Sequence, residues 1–182
     1  MSVDPFQVLG MPRRFALDRD ELDRRYRELQ RALHPDLFAR APAGERRLGL
    51  ERAVRVNEAY RTLRDELARA RELLALHGAE PSAERPSDPE FLAEIMELRE
   101  ELADARRAGD LEAVRRLAAR AEARRRDTVA RLEAGFDALG PAPATAPLAE
   151  LGAQLSRLRF FRRLLDEAEA IEDEALEREA LA

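Results

Sequence analysis

The chain contains no cysteine, no tryptophan and no lysine; all 32 of its basic residues are arginine. Without cysteine it can form no disulfide, thiolate zinc site, cysteine-ligated cluster or cysteine nucleophile. Only two histidines are present, which argues against any transition-metal site built from imidazoles. No apolar run approaches the roughly 18 residues of a membrane span. The opening residues, Met1-Ser2-Val3-Asp4-Pro5-Phe6, put an acid where a signal peptide carries a basic start and an apolar stretch. These absences set the expectation of a soluble, intracellular protein with no membrane partner. The exclusive use of arginine carries no functional weight.

What is present is apolar and charged in large measure: 182 residues, 45% hydrophobic and 38% charged. The apolar share suffices for a packed core, and the length fits one domain or two small ones. Charge is unevenly divided. Residues 1–77 carry a net +3 and residues 78–182 a net −8, together the overall −5. A basic first half and an acidic second half suggest two modules with different partners. The basic half is too mildly charged, and too interleaved with acids, for nucleic acid to be a partner.

The periodicity is helical throughout, with apolar residues three and four apart and no alternating strand pattern. Asp4 to Leu9 reads as a short helix closed by Gly10 and Pro12. Asp18, with Glu21 three residues on, reads as a capping box opening a second helix. Leu22, Tyr26, Leu29 and Leu33 share a face of that helix, which must stop near His34 because Pro35 follows. A third helix is expected from about Gly44 to Leu63, with Ala53, Val56, Tyr60 and Leu63 inward. A fourth carries Leu67, Ala70 and Leu74 and ends at His77-Gly78.

Ala79 to Ser87 has two prolines and no periodicity, and reads as a joint. The expected organisation is a first domain over 1–77, a linker over 78–87 and a second domain over 88–182. Ser87 is expected to cap the next helix, with Glu90 completing the box and Phe91, Ile95, Leu98 and Leu102 inward. Gly109-Asp110 breaks it. A long helix follows on a near-heptad rhythm through Leu111, Val114, Ala118, Ala121, Arg125, Thr128, Leu132, Phe136 and Leu139. Gly140-Pro141-Ala142-Pro143 ends it, and a last helix spans about Pro147 to Leu176. Its inner side carries Leu151, Leu155, Leu158, Phe161 and Leu165. Three helices joined by Gly and Pro breaks predict an antiparallel bundle rather than an extended coiled coil.

The polar chemistry concentrates at His34-Pro35-Asp36, in the loop between two helices that pack back antiparallel. At about 100° per residue, Arg24, Arg27 and Arg31 fall opposite the apolar face of the preceding helix. By itself that stripe reads first as a solvated helix face, and the loop residues as a local cap in which Asp36 accepts backbone N–H groups. As a unit, a cationic stripe leading to a polar loop tip suits docking on an acidic protein surface. A hydrolase built on His34 and Asp36 is disfavoured, because no nucleophile or metal-ligand set accompanies them. The other histidine, His77, reads as a C-terminal residue favoured by the helix dipole.

Residues 4–77 resemble a J domain, the module with which co-chaperones activate seventy-kilodalton heat-shock-type ATPases. The resemblance lies in Asp4-Pro5-Phe6-Gln7-Val8-Leu9-Gly10, in Leu22-x3-Tyr26-x2-Leu29-x3-Leu33-His34-Pro35-Asp36 and in Val56-Asn57-Glu58-Ala59-Tyr60-Arg61-Thr62-Leu63. Two further runs are more specific: Arg69-Ala70-Arg71-Glu72-Leu73-Leu74-Ala75-Leu76-His77-Gly78, and Phe91-Leu92-Ala93-Glu94-Ile95-Met96-Glu97-Leu98-Arg99-Glu100-Glu101-Leu102. With them the chain resembles the HscB family of iron–sulfur cluster co-chaperones over nearly its whole length.

That resemblance implies an all-α fold, a J domain followed by a C-terminal three-helix bundle. It implies a non-enzymatic adaptor with no cofactor and no metal. His34, Pro35 and Asp36 would be the ATPase-activating signature, and Arg24, Arg27 and Arg31 the basic docking face. The partners it implies are an HscA-like ATPase chaperone and an IscU-like scaffold on which clusters are built. The scaffold-contact patch maps to Leu92, Met96, Glu97, Glu100, Asp104 and Phe160. Two positions depart from the pattern: Leu37 stands where a Lys commonly follows the signature, and Ala93 where the patch commonly has a larger apolar residue.

Helical projection bears on the same patch separately. With Phe91, Ile95, Leu98 and Leu102 inward, Leu92 and Met96 lie roughly 100–140° away, with the acids beyond them. Phe160 projects about 160° from Leu158 and is expected on the outer face of the last helix. An apolar pair bordered by acids, with an outward Phe, suits a partner surface. The other outcome of the projection is that these residues simply widen the core.

Overall fold

A computed structural model of the protein describes residues 3–38, 42–79, 88–140 and 144–180. Among them are seven α-helices and one 3-10 turn, and no strand: α1 (Pro5–Leu9), α2 (Arg19–Ala32), the turn Pro35–Phe38, α3 (Ala43–Arg64), α4 (Glu66–Leu76), α5 (Pro89–Ala108), α6 (Leu111–Asp137) and α7 (Thr145–Ala180). Contacts divide the chain into two compact units, Met1–Gly78 and Ala79–Ala182. No helix among the described residues is long and apolar enough to cross a membrane.

In the first unit, each helix begins or ends on a residue that the sequence marks. Asp4 caps α1 by accepting the Phe6 N–H at 2.9 Å, and Pro5 occupies the first turn, where its missing N–H costs nothing. Gly10 closes α1 at φ 64°, a left-handed conformation that favours glycine. Asp18 caps α2 by accepting from Asp20 and Glu21 N–H at 3.0 and 3.1 Å. The second half of the expected capping box is replaced by another arrangement. The Glu21 carboxylate accepts from Arg24 and Arg25 instead, because charge-assisted bonds to guanidinium forks outcompete one to a backbone N–H. Phe6, Phe15, Leu22, Leu63, Leu73 and Leu74 are fully buried. Each contributes about 1.5–3 kcal/mol by leaving water.

Aromatic and polar contacts lock α2 to α3. Tyr26 and Tyr60 stack with centroids 3.9 Å apart and planes 7° from parallel. The Tyr26 hydroxyl donates to Asn57 Oδ1 at 2.9 Å, and the Tyr60 hydroxyl to Asp23 Oδ1 at 2.8 Å. Loss of water and the adjacent Asp23 carboxylate both push the Tyr60 phenol above its usual pKa, so it stays a donor. This clamp holds the two helices that carry the loop between them.

The second unit is a three-helix bundle, with α7 packed along α6 and both against α5. Its core gathers Phe91, Leu98 and Leu102 from α5, Val114, Leu117 and Ala121 from α6, and Phe161, Leu164, Ala168 and Ile171 from α7. The expected stripe of α7 shifts by one residue near its middle, since Leu164 is buried and Leu165 only partly so. From Leu164 the inward side continues through Ala168 and Ile171 in steps of four and three residues. Arg125, expected on the inner rhythm of α6, is half-buried and pairs with Glu122. The expected cap of α5 is also corrected. Asp88, not Ser87, accepts from the Glu90 and Phe91 N–H groups at 3.0 and 3.3 Å, and Pro89 opens the helix. Ser87 lies outside the described residues.

Candidate functional site

The loop after α2 is built from the backbone outwards. Leu33 leaves helical geometry and Pro35 opens the 3-10 turn. The Leu37 N–H donates to the His34 carbonyl at 3.0 Å, closing it. The Asp36 N–H donates to His34 Nδ1 at 3.3 Å, while Asp36 Oδ2 lies 3.5 Å from the same nitrogen. These contacts compete for one atom, because Nδ1 must be unprotonated to accept and protonated to pair. With the proton on Nε2 the ring accepts the Asp36 N–H and presents an N–H donor beside a carboxylate that offers acceptors. With His34 60% and Asp36 88% exposed, both remain available to a partner. Among the described residues, no group of three or more His, Cys, Asp or Glu is placed to hold a metal.

The three arginines of α2 are not equivalent. Arg24 is exposed but fully engaged: it forks onto Glu21 and donates to Glu28 Oε1 at 2.6 Å. The Glu21 bond, then the Glu28 bond, pushes its pKa higher still. Both partners lie on its own exposed helix face and offset part of its charge locally. Arg27 and Arg31 are exposed and form no ion pair with another described residue. They line a groove with Leu33, His34, Leu50 and Ala53 that runs from the loop between α2 and α3. Arg27 and Arg31, without an ion pair among the described residues, therefore border the loop of His34, Pro35 and Asp36, while Arg24 lies further back along the helix.

On α5, Leu92 is 42% and Met96 71% exposed, one turn apart. Glu97, Glu100 and Asp104 are exposed beside them; Asp104 pairs with Arg107, while Glu97 and Glu100 form no ion pair with another described residue. Phe160 departs from its expected place. It is half-buried against the core, edge-on to Phe91 at 5.8 Å and to Phe161 at 5.5 Å. Phe91, in the first turn of α5, packs edge-on against Phe160 and precedes Leu92 in the chain. Arg157 completes the junction by reaching over the Phe91 ring at 4.8 Å to pair with Asp88.

The Asp88 carboxyl is held below the usual carboxylate range, first by the Phe91 N–H and then by the Glu90 N–H and Arg157, against a smaller opposing effect of burial. A depressed folded-state pKa adds stability that is present above the unfolded value and is lost as pH falls through the folded one. The bundle should therefore lose stability as the medium is acidified below about pH 4, the ordinary Asp value. Thermal melts across that range check this. Asp88→Asn should melt lower at neutral pH and lose less on acidification. Equal acid sensitivity would assign the loss to other carboxylates.

A family model described as the HSCB C-terminal oligomerisation domain matches residues 87–169. A co-chaperone protein HscB homologue of Burkholderia mallei is 41% identical over 165 residues, covering 84% of this chain and 94% of its own length. This chain belongs to the HscB family. Another homologue, from Azoarcus, is 38% identical and covers 97% of this chain and 96% of its own. Among solved structures, chaperone HscB from Vibrio cholerae superposes with a TM-score of 0.79 at 33% identity, covering 94% of this chain and 99% of that one. Human co-chaperone HscB gives 0.82 at 28% identity, over 94% of this chain and 83% of its own. The all-α architecture of both units is thus that of HscB proteins, and the relatives are named as co-chaperones rather than enzymes.

Proposed function

We propose that this HscB-family chain is a cytoplasmic adaptor between an iron–sulfur cluster scaffold protein and an HscA-like ATPase chaperone. The observation that carries the reading is the presence, in one chain, of two outward chemistries. One is the His34-Pro35-Asp36 loop bordered by Arg27 and Arg31. The other is an exposed apolar pair on α5 beside Glu97 and Glu100. In this reading the α5 face, with Phe160 at its edge, holds the scaffold. The loop meets the chaperone, with the arginines steering the encounter. The adaptor breaks no bond. It favours the hydrolysing state of its partner, and it can do so only by binding that state more tightly. Covalent linkage of the two units raises the local concentration of scaffold at the chaperone, so two modest affinities act as one.

The test is steady-state ATP hydrolysis by the chaperone with the full chain, the scaffold, or both. The chain alone should stimulate, and both together should stimulate more than the product of their separate effects. Stimulation by the chain that added scaffold leaves unchanged, with no scaffold affinity by calorimetry, would assign it to a different client.

A further inference from the structure

We infer that Met96 is a peroxide-oxidation site that weakens client binding when converted to the sulfoxide; the binding half of this inference rests on the reading that the α5 face holds the scaffold. The chain has no cysteine and three methionines, so thioethers are its only sulfur targets. Met11 is 7% exposed and packed in the core of its unit, and Met1 lies outside the described residues. Met96 is 71% exposed, the most open large apolar side chain among the described residues. Ala93, three residues earlier and itself exposed, sets only a methyl group beside the sulfur on the shared helix face. Leu92, Arg99 and Glu100 also flank it on the helix, yet the side chain stays 71% exposed and open to a small oxidant.

The chemistry is a two-electron oxygen transfer from a hydroperoxide. A sulfur lone pair attacks one peroxide oxygen, the S–O bond forms and the O–O bond breaks. The sulfide is oxidised to the sulfoxide, and hydrogen peroxide leaves as water once protons are redistributed. An apolar, flexible side chain becomes a polar one. In the free protein that change is solvated and costs little. In a contact that buries Leu92 and Met96 together, the sulfoxide oxygen would be left without water. The surface that binds client thus contains its own oxidisable element.

The experiment treats the full chain with hydrogen peroxide, locates the added oxygen by peptide mass spectrometry, and measures scaffold affinity by calorimetry before and after treatment. Met96 should oxidise well ahead of Met11, and scaffold affinity should fall roughly tenfold or more. Reduction by methionine sulfoxide reductase should restore it. In Met96→Leu, whatever its own affinity, the ratio before and after treatment should be about one, although Met1 and Met11 are still present. Oxidation of Met11 as fast as Met96 overturns the inference. So does a full-length chain that carries the Met96 sulfoxide and binds the scaffold as before. If even the untreated chain fails to bind, the scaffold reading falls and the switch falls with it, while selective oxidation of Met96 remains a separate observation.

Discussion

Replacing His34 with Gln should cut stimulation of the chaperone ATPase by about tenfold or more, while leaving the helical content and scaffold affinity of the chain unchanged. The size follows from what is lost. A charge-assisted or buried hydrogen bond at an interface centre contributes about 1.5–3 kcal/mol, and removing one partner strands the other. The selectivity follows from what His34 touches. Its ring is 60% exposed, and among the described residues its side-chain polar contacts are with Asp36 alone, so little packing depends on it. Stability should change by no more than about 0.5 kcal/mol. Gln can still accept the Asp36 N–H through its amide oxygen, which preserves the turn but displaces the outward donor. Asp36→Asn tests the other half of the pair: it keeps the shape and removes the charge. Wild-type stimulation by both variants would remove the loop from the mechanism.

The same loop shows what was legible in the sequence. Its position follows from Pro35 and from the apolar face of α2, and the structure places it between α2 and α3 as expected. The residues that open helices were legible at Asp4, just before Pro5 and Phe6, and at Asp18, three residues before Glu21. They were less so at Ser87-Asp88, where two capping residues stand in succession. There Pro89 decides: it sits in the first turn, which leaves Asp88 as the cap. The pairing of Arg24 was not legible on the wheel. A helical wheel gives direction but not pairing, and the acids three residues before and four after neutralise Arg24 while leaving Arg27 and Arg31 without an ion pair among the described residues. The signal was present in the spacing Glu21-x2-Arg24-x3-Glu28, which matches the reach of side chains on one helix face. The Tyr26–Asn57 bond was not legible at all, since it joins residues 31 apart whose register only the packed hairpin sets.

Phe160 marks the limit of single-helix projection, and it yields the second strong expectation. Projection from Leu158 places it outward, yet it is half-buried and edge-on to Phe91. A residue that is half core and half surface should report on both when truncated. Phe160→Ala should weaken scaffold binding by about tenfold, the scale on which interface anchors act. It should also lower the stability of the bundle by about 1–2 kcal/mol. That is below the 3–5 kcal/mol of a fully buried Phe, and it includes the edge-on contact with Phe91. The two effects separate by comparison with Phe161→Ala. Phe161 is fully buried and presents nothing to a partner, so that variant should cost more stability and little affinity at temperatures where the bundle stays folded. Calorimetric titration with the scaffold, paired with urea unfolding of each variant, reads both quantities. Basal stimulation of the chaperone should be intact in both variants, because the signature loop belongs to the other unit. If the two variants lose affinity in proportion to stability, Phe160 acts only by holding α5 against α7. If Phe160→Ala loses affinity beyond what its stability accounts for, its exposed edge is part of the contact.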